Sequence, residues 1–253
     1  MRCTMRTPKP AKMLLEICVD DEAGVYAAIA GGADRIELCS ALSAGGLTPS
    51  VGFMRWACAI SPIPVMVMIR PHDHGFHYTE HEVAGMVTDI QVAREAGAAG
   101  VVWGCLDADR KIDLSSTQRL LDAARGMDVT FHRAFDLTPD PIAAIDSLVQ
   151  LDIPRVLTSG QASTVHSGQA LIERLLAHAV GRIAVMPGGG LLSGDTKAYI
   201  ATSTAVEFHA SAGKEVQLPG TLDQLSGGTR ARRQTDVGRV RMLRGILDRV
   251  AER

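Results

Sequence analysis

Short β-like runs recur along the chain, separated by stretches with a helical pattern. The short runs lie near 13–19, 34–39, 64–70, 100–104, 128–132, 154–158, 182–186 and 205–209. Helical patterns fall near 21–31, 50–60, 80–97, 115–125, 139–150, 167–179, 193–203 and 235–252. Eight strand–helix alternations in 253 residues predict one α/β domain, a single (β/α)8 TIM-type barrel. The rival is a doubly wound open sheet, which needs about six strands and a crevice where the strand order reverses. Eight evenly spaced strands argue against it. End signals agree with the helical stretches. Asp20 precedes the first, Thr79 and Glu82 have capping-box spacing, and Pro139 follows Thr138 at an expected first helical position. Gly32, Gly97 and Gly126 are placed to close helices. Residues 211–234 break the rhythm. They are rich in Gly, Ser, Thr and Arg without a clear period, and predict a long loop after the eighth strand.

Side chains alternate across a strand. Glu16 and Cys18 therefore share one face of the first strand, and Arg35, Glu37 and Cys39 share one face of the second. A barrel interior is normally filled with Val, Ile and Leu. Charges there are costly unless paired. These two strands thus predict the floor of a site or a structural ion-pair network.

Composition narrows the function classes. Hydrophobic residues make up 46% and charged residues 21%, as in a soluble globular protein. The formal net charge is -2 and aromatics are 4%, which argues against a nucleic-acid partner despite the basic stretch between Arg230 and Arg244. No apolar run is long enough to span a membrane. Residues 1–12 are basic and lack an apolar core, so they read as a disordered tail ahead of a barrel domain over 13–253, not as a secretory signal. Cys3, Cys18, Cys39, Cys58 and Cys105 are odd in number and scattered, with no CxxC spacing. That predicts reduced thiols and a cytoplasmic setting.

A set of short motifs carries a resemblance. They are Glu16-Ile17-Cys18, RIELCS at 35–40, GGLTPS at 45–50, IRP at 69–71, FHRAFD at 131–136, LTSG at 157–160, PGGG at 187–190 and EFHAS at 207–211. In this order they resemble the CutC family, named for copper homeostasis. The resemblance implies a TIM-type barrel in the bacterial cytoplasm, a homo-oligomer, and a debated link to copper with no reaction firmly attached. Two positions depart from the family pattern. His72-Asp73-His74-Gly75 stands where the family tends to have Arg and Gly-Gly, and Gln161 stands where it often has Gly.

Closing a barrel would set the eighth strand beside the first. Glu207 and His209 would then neighbour Glu16, with Glu37 on the second strand and His132 ending the fifth. Glu16, Glu37, His132, Glu207 and His209 are the candidate acid–base groups, in a composition suited to isomerase- or lyase-like proton transfer. Arg35, Arg70 and Arg133 are candidates to hold a carboxylate or phosphate. Arg133 has the opposite parity to His132 and contributes only if the strand ends there. Ser159, Gly188, Gly189 and Gly190 follow strands six and seven, where a barrel can present backbone N–H groups and a helix N-terminus to an anion. A Gly-rich run can equally be a tight turn. No lysine stands at a strand end, which disfavours a Schiff base. Cys18 and Cys39 end adjacent strands with inward parity. Strands lie ~4.8 Å apart, so two thiolates could share one Cu(I). The plain alternative is that both are small buried hydrophobes. His72, His74, His77 and His81 form a His-rich loop without a metal-binding pattern. The expected ligand is thus a small anionic molecule, with a phosphorylated metabolite among the alternatives, or a copper ion.

Overall fold

The computed structural model describes residues 12–218 and 230–252. Residues 1–11 with Cys3, residues 219–229 and Arg253 lie outside the described residues, so the expected tail and part of the 211–234 loop fall beyond them.

Eight parallel strands form the barrel: β1 Leu14–Val19, β2 Arg35–Leu38, β3 Val65–Met68, β4 Gly100–Trp103, β5 Asp128–Phe131, β6 Arg155–Thr158, β7 Ala184–Pro187 and β8 Glu207–Ala210. From β1 to β7 each pairs with its sequence neighbours, and β1 also pairs with β8. A bridge between Gly188 and His209 joins the ends of β7 and β8. The outer ring holds α1 Glu22–Gly31, α2 Val51–Ile60, α3 Glu80–Glu95, α4 Leu114–Ala123, α5 Pro141–Gln150, α6 Gln169–Ala179, α7 Thr196–Thr202 and α8 Val237–Ala251.

Parity divides the core in two. Leu15, Ile17, Val19, Ile36 and Leu38 point outward into the layer under the helices, which is the main apolar core. Inside the barrel the apolar cluster is small: Cys39, Met66, Met68 and Val102. The rest of the interior is largely polar.

Helix starts follow side-chain chemistry, with two shifts from expectation. Asp21, not Asp20, caps α1 by accepting from the Gly24 N–H, which leaves Asp20 at the barrel mouth. Asp140 caps α5 with Pro141 as the first residue, while Thr138 ends a 3-10 turn at Arg133–Leu137. The Thr79–Glu82 capping box forms as expected. Gly32, Gly97 and Gly126 all adopt positive φ after their helices.

The 211–234 segment is not wholly a loop. Gly213–Leu218 (β9) and Arg230–Thr235 (β10) pair antiparallel, with Arg232 opposite Val216. Its sequences GKEVQL and RARRQT show no apolar alternation, because a two-stranded ribbon is held by backbone pairing and buries little on either face.

Candidate functional site

The parallel register sets Glu16 beside both Arg35 and His209, and Cys18 beside Glu37. Below the mouth lies a chain of alternating charges. Arg35 donates from Nε to Glu16 at 2.5 Å and from Nη2 to Glu207 at 2.8 Å. Arg155 donates to the same Glu207 oxygen at 2.5 Å, and to Asp128 at 2.9 Å and Thr130 at 3.1 Å. Arg35, Asp128, Arg155 and Glu207 are the first residues of their strands. They sit at the amino-terminal end of the barrel, the face that carries stability in this fold. Glu16, Arg35 and Glu207 therefore lie below the mouth in an ion-pair network, one of the two outcomes the strand parity allows: Arg35 bridges the two carboxylates, and the second Glu16 oxygen accepts from His209. Arg155 escaped the sequence reading. Its shared parity with Leu157 on an otherwise apolar strand was the signal available.

Above this floor opens a cavity of about 1120 Å³ at the carboxyl ends of the strands. Glu37, Arg70, His132 and His209 line it together with Cys18 and Arg133. Arg70 donates to the carbonyls of Ala44 and Gly46 at 2.8 and 3.0 Å, and its guanidinium lies 4.9 Å from the Phe76 ring centre. His132 Nδ1 accepts from the Ala134 N–H at 3.2 Å, which assigns the ring proton to Nε2. Gly104 makes room for this ring, since a Cβ there would come within 2.4 Å of Nδ1. Three buried polar atoms of these lining side chains have no hydrogen-bond partner: Glu37 Oε1, Arg70 Nε and His132 Nε2.

Electrostatics separates the roles. Burial, then the Arg70 charge, lowers the His132 pKa to about 3, so the ring is neutral. Burial would raise Glu16, but Arg35 and His209 outweigh it and bring it down to about 2. Burial lifts Glu37 to about 7, with the Glu16 charge adding to the rise and His209 opposing it. Burial also works against a charged His209, yet Glu37, Cys18 and Glu16 together raise it well above the ordinary histidine value. Its Nδ1 donates to Glu16 at 2.8 Å, and its Nε2 stands 3.7 Å from Glu37.

The β5 strand ends at Phe131, so His132 caps the 3-10 turn and Arg133 swings to the mouth. Arg133 donates to Asp136 at 2.8 Å and to Ser159 Oγ at 2.7 Å. Asp136 also accepts from Thr158 Oγ1 at 2.5 Å and from the Gln161 N–H at 3.1 Å. Asp136 lies within the FHRAFD motif, but nothing in the sequence assigned it a task. Gln161 has φ 55, a left-handed conformation that suits glycine better. Gly188 faces inward, where a Cβ would lie 2.8 Å from His209 Cβ. Gly189 has φ 104, and a Cβ on it would lie 3.0 Å from Arg133 Nη1. The expected helix N-terminus near Ser193 is displaced. α7 begins at Thr196, and the Asp195 carboxylate already caps it through the Ala198 N–H.

The thiols divide as well. Because Cys18 is registered on Glu37, Cys39 stands one step further along its strand. Its Sγ approaches Glu37 Oε2 at 3.6 Å, and it packs among Met66, Met68 and Val102. The soft donors brought together are instead Cys18, His209 and Glu37, with one ligand atom of each within 4.8 Å of the others. Burial raises both thiols, and for Cys39 the Glu37 charge raises it further. In the His-rich loop His72 bonds Glu82 and stacks on His74 with ring centres 4.9 Å apart, while His77 bonds the Leu106 carbonyl. No further group of three metal-ligating side chains occurs among the described residues.

Comparison with known proteins agrees with this architecture. A CutC family protein of Sinorhizobium medicae is 44% identical over 241 residues, covering 95% of this chain and 98% of that protein. The human copper homeostasis protein cutC homolog is 47% identical over 199 residues, covering 79% of this chain and 73% of its own length. The crystal structure of CutC from Streptococcus agalactiae superposes with a TM-score of 0.74 at 31% identity, covering 79% of this chain and 98% of that one. A sequence model of the CutC family matches residues 13–214, and the chain belongs to that family.

Proposed function

We propose that the mouth of this barrel binds a small anionic molecule bearing a carbonyl or hydroxyl group, and that Glu37, His132 and His209 serve proton transfer on it. One observation carries the reading: three buried, unpartnered polar atoms belong to side chains lining one cavity. Each such atom disfavours the folded state by about 1–3 kcal/mol unless water or a ligand meets it. A ligand that meets all three recovers that free energy as affinity. Arg70 would anchor the anionic group, and the neutral His132 would donate Nε2–H to a carbonyl oxygen. Glu37, held near neutrality, would exchange the proton. Among the described residues no lysine lines the cavity, which favours acid–base chemistry of the isomerase or lyase kind over a Schiff base. Glu16, Arg35, Glu207 and Arg155 would hold His209 in place from below. The test is a thermal-shift titration with oxalate, pyruvate and malonate. A saturable rise in melting temperature, lost in Arg70→Met and His132→Asn, is expected. No rise with any probe, or a rise that survives in both variants, refutes the reading.

A second reading rests on the grouping of Cys18, His209 and Glu37. A thiolate and an imidazole suit Cu(I), which would then be cargo, and the human relative's name points the same way. Loading would release protons from Cys18 and His209. Competition against a colorimetric Cu(I) chelator should show affinity lost in Cys18→Ser and kept in Cys39→Ser. Retention in Cys18→Ser removes this site. Cys18, Cys39, Cys58 and Cys105 are free thiols, which supports a reducing, cytoplasmic setting. No described helix is long and apolar enough to cross a membrane. Assembly into a homo-oligomer rests on the family resemblance alone.

A further inference from the structure

Five arginines and three carboxylates line the mouth cavity, on a chain whose formal net charge is -2. Three of the arginines, Arg232, Arg233 and Arg239, come from β10 and the first turn of α8, the part of the chain with no assigned task. Their surroundings differ. Arg232 pairs with Asp21. Arg133, across the mouth, is neutralised by Asp136. Arg233 and Arg239 both donate to a single neutral acceptor, the Gly213 carbonyl, Arg233 at 2.8 Å. Among the described residues no carboxylate pairs with either side chain. The nearby Asp236 carboxylate is taken by Lys214 at 2.7 Å and by the Arg239 backbone N–H at 3.0 Å. Two guanidiniums drawn to one uncharged oxygen repel each other, and that oxygen compensates neither.

Their position matters as much as their charge. In barrels of this type, phosphate is commonly held by the loops that follow strands seven and eight. The β9–β10 hairpin is the segment after β8, and Gly189 and Gly190 follow β7 at the same cavity. A guanidinium fork matches phosphate oxygens two at a time. A monoanionic carboxylate would compensate only one of the two charges, whereas a phosphoryl dianion compensates both.

We propose that Arg233 and Arg239 form the seat for the phosphoryl group of a phosphorylated ligand, whose carbonyl or hydroxyl end reaches Arg70 and His132. This rests on the reading of the mouth as a ligand site and adds to it the ligand's second, dianionic end. The hairpin is then the specificity element: it selects phosphorylated molecules over plain keto or hydroxy acids.

The experiment is a 31P linewidth titration of inorganic phosphate into the full chain at fixed ionic strength, with circular dichroism as the check on folding. The wild-type protein should broaden the line saturably. Arg233→Gln with Arg239→Gln keeps a donor for the Gly213 carbonyl but removes both charges, and should weaken phosphate binding at least tenfold. Arg233→Lys with Arg239→Lys keeps the charges and should retain binding. Wild-type affinity in the double Gln variant overturns the proposal, as does a wild-type chain that leaves the line unbroadened. The inner end is read in parallel by the thermal shift with pyruvate, which should persist in the double Gln variant and vanish in Arg70→Met. Phosphate binding lost in Arg70→Met but kept in the double Gln variant moves the phosphate inward, so the hairpin seat falls while the mouth reading stands. Failure of both phosphate and pyruvate to bind the wild-type chain removes both.

Discussion

His132 makes the barrel acid-sensitive through a single buried ring. In the unfolded chain its imidazole takes up a proton near the ordinary histidine value of 6.5, whereas in the fold burial and the Arg70 charge hold it at about 3. The sign follows from proton counts. Above 6.5 both states are neutral and the histidine contributes no pH dependence. Between those two values the unfolded chain carries the proton and the folded chain does not, so stability falls as pH falls. The slope is about 1.4 kcal/mol per pH unit, which amounts to roughly 3 kcal/mol by pH 4. Glu37 acts in the opposite direction, because the fold holds it neutral up to about 7; raw acid curves therefore mix these two with the lowered Glu16 and the raised His209. His132→Asn separates them. The amide oxygen can still accept from the Ala134 N–H, and the side chain no longer titrates. Urea unfolding at pH 7, 6, 5 and 4 should show the wild-type protein losing about 3 kcal/mol more than the variant. Parallel pH dependence of the two proteins would refute the reasoning, since it would mean that His132 charges freely in the fold.

Three further outcomes follow from the floor, the mouth and the ring of helices. Arg35→Met leaves Glu16 and Glu207 each short of one partner, and should cost about 3 kcal/mol, or a fall in Tm of roughly 10 °C by calorimetry; Arg35→Lys should recover part of it. Gly104→Ala puts a methyl group 2.4 Å from His132 Nδ1, and should displace the ring, seen as a shifted imidazole resonance and loss of any ligand-induced thermal shift. Thr79→Ala removes the capping box of α3, and should cost about 1 kcal/mol in urea unfolding.

Much of this was legible in the chain. The eight short runs fell on eight strands, since a buried parallel strand must be apolar on its outer face whatever lines the interior. Inward parity for Glu16, Cys18, Arg35 and Glu37 was readable because side-chain alternation is local geometry. Arg133 was legible only conditionally: its direction depended on where β5 ended, and the strand stops at Phe131. The β9–β10 hairpin left no trace, because its pairing is made by backbone groups that every sequence carries.

What the sequence determined by itself was the fold class and which side chains face inward, both set by periodicities of two and of about 3.6 residues. The tertiary structure decided the partners, because these depend on register between strands far apart in the chain. Register put Cys18 beside Glu37 instead of Cys39, and Glu16 beside both Arg35 and His209. It also sank Arg35 and Glu207 to the floor while leaving Glu37, Arg70 and His132 at the mouth. A strand's own sequence gives the face of each side chain but not its height along the barrel axis, and it is height that separates a structural ion pair from a group exposed to a ligand.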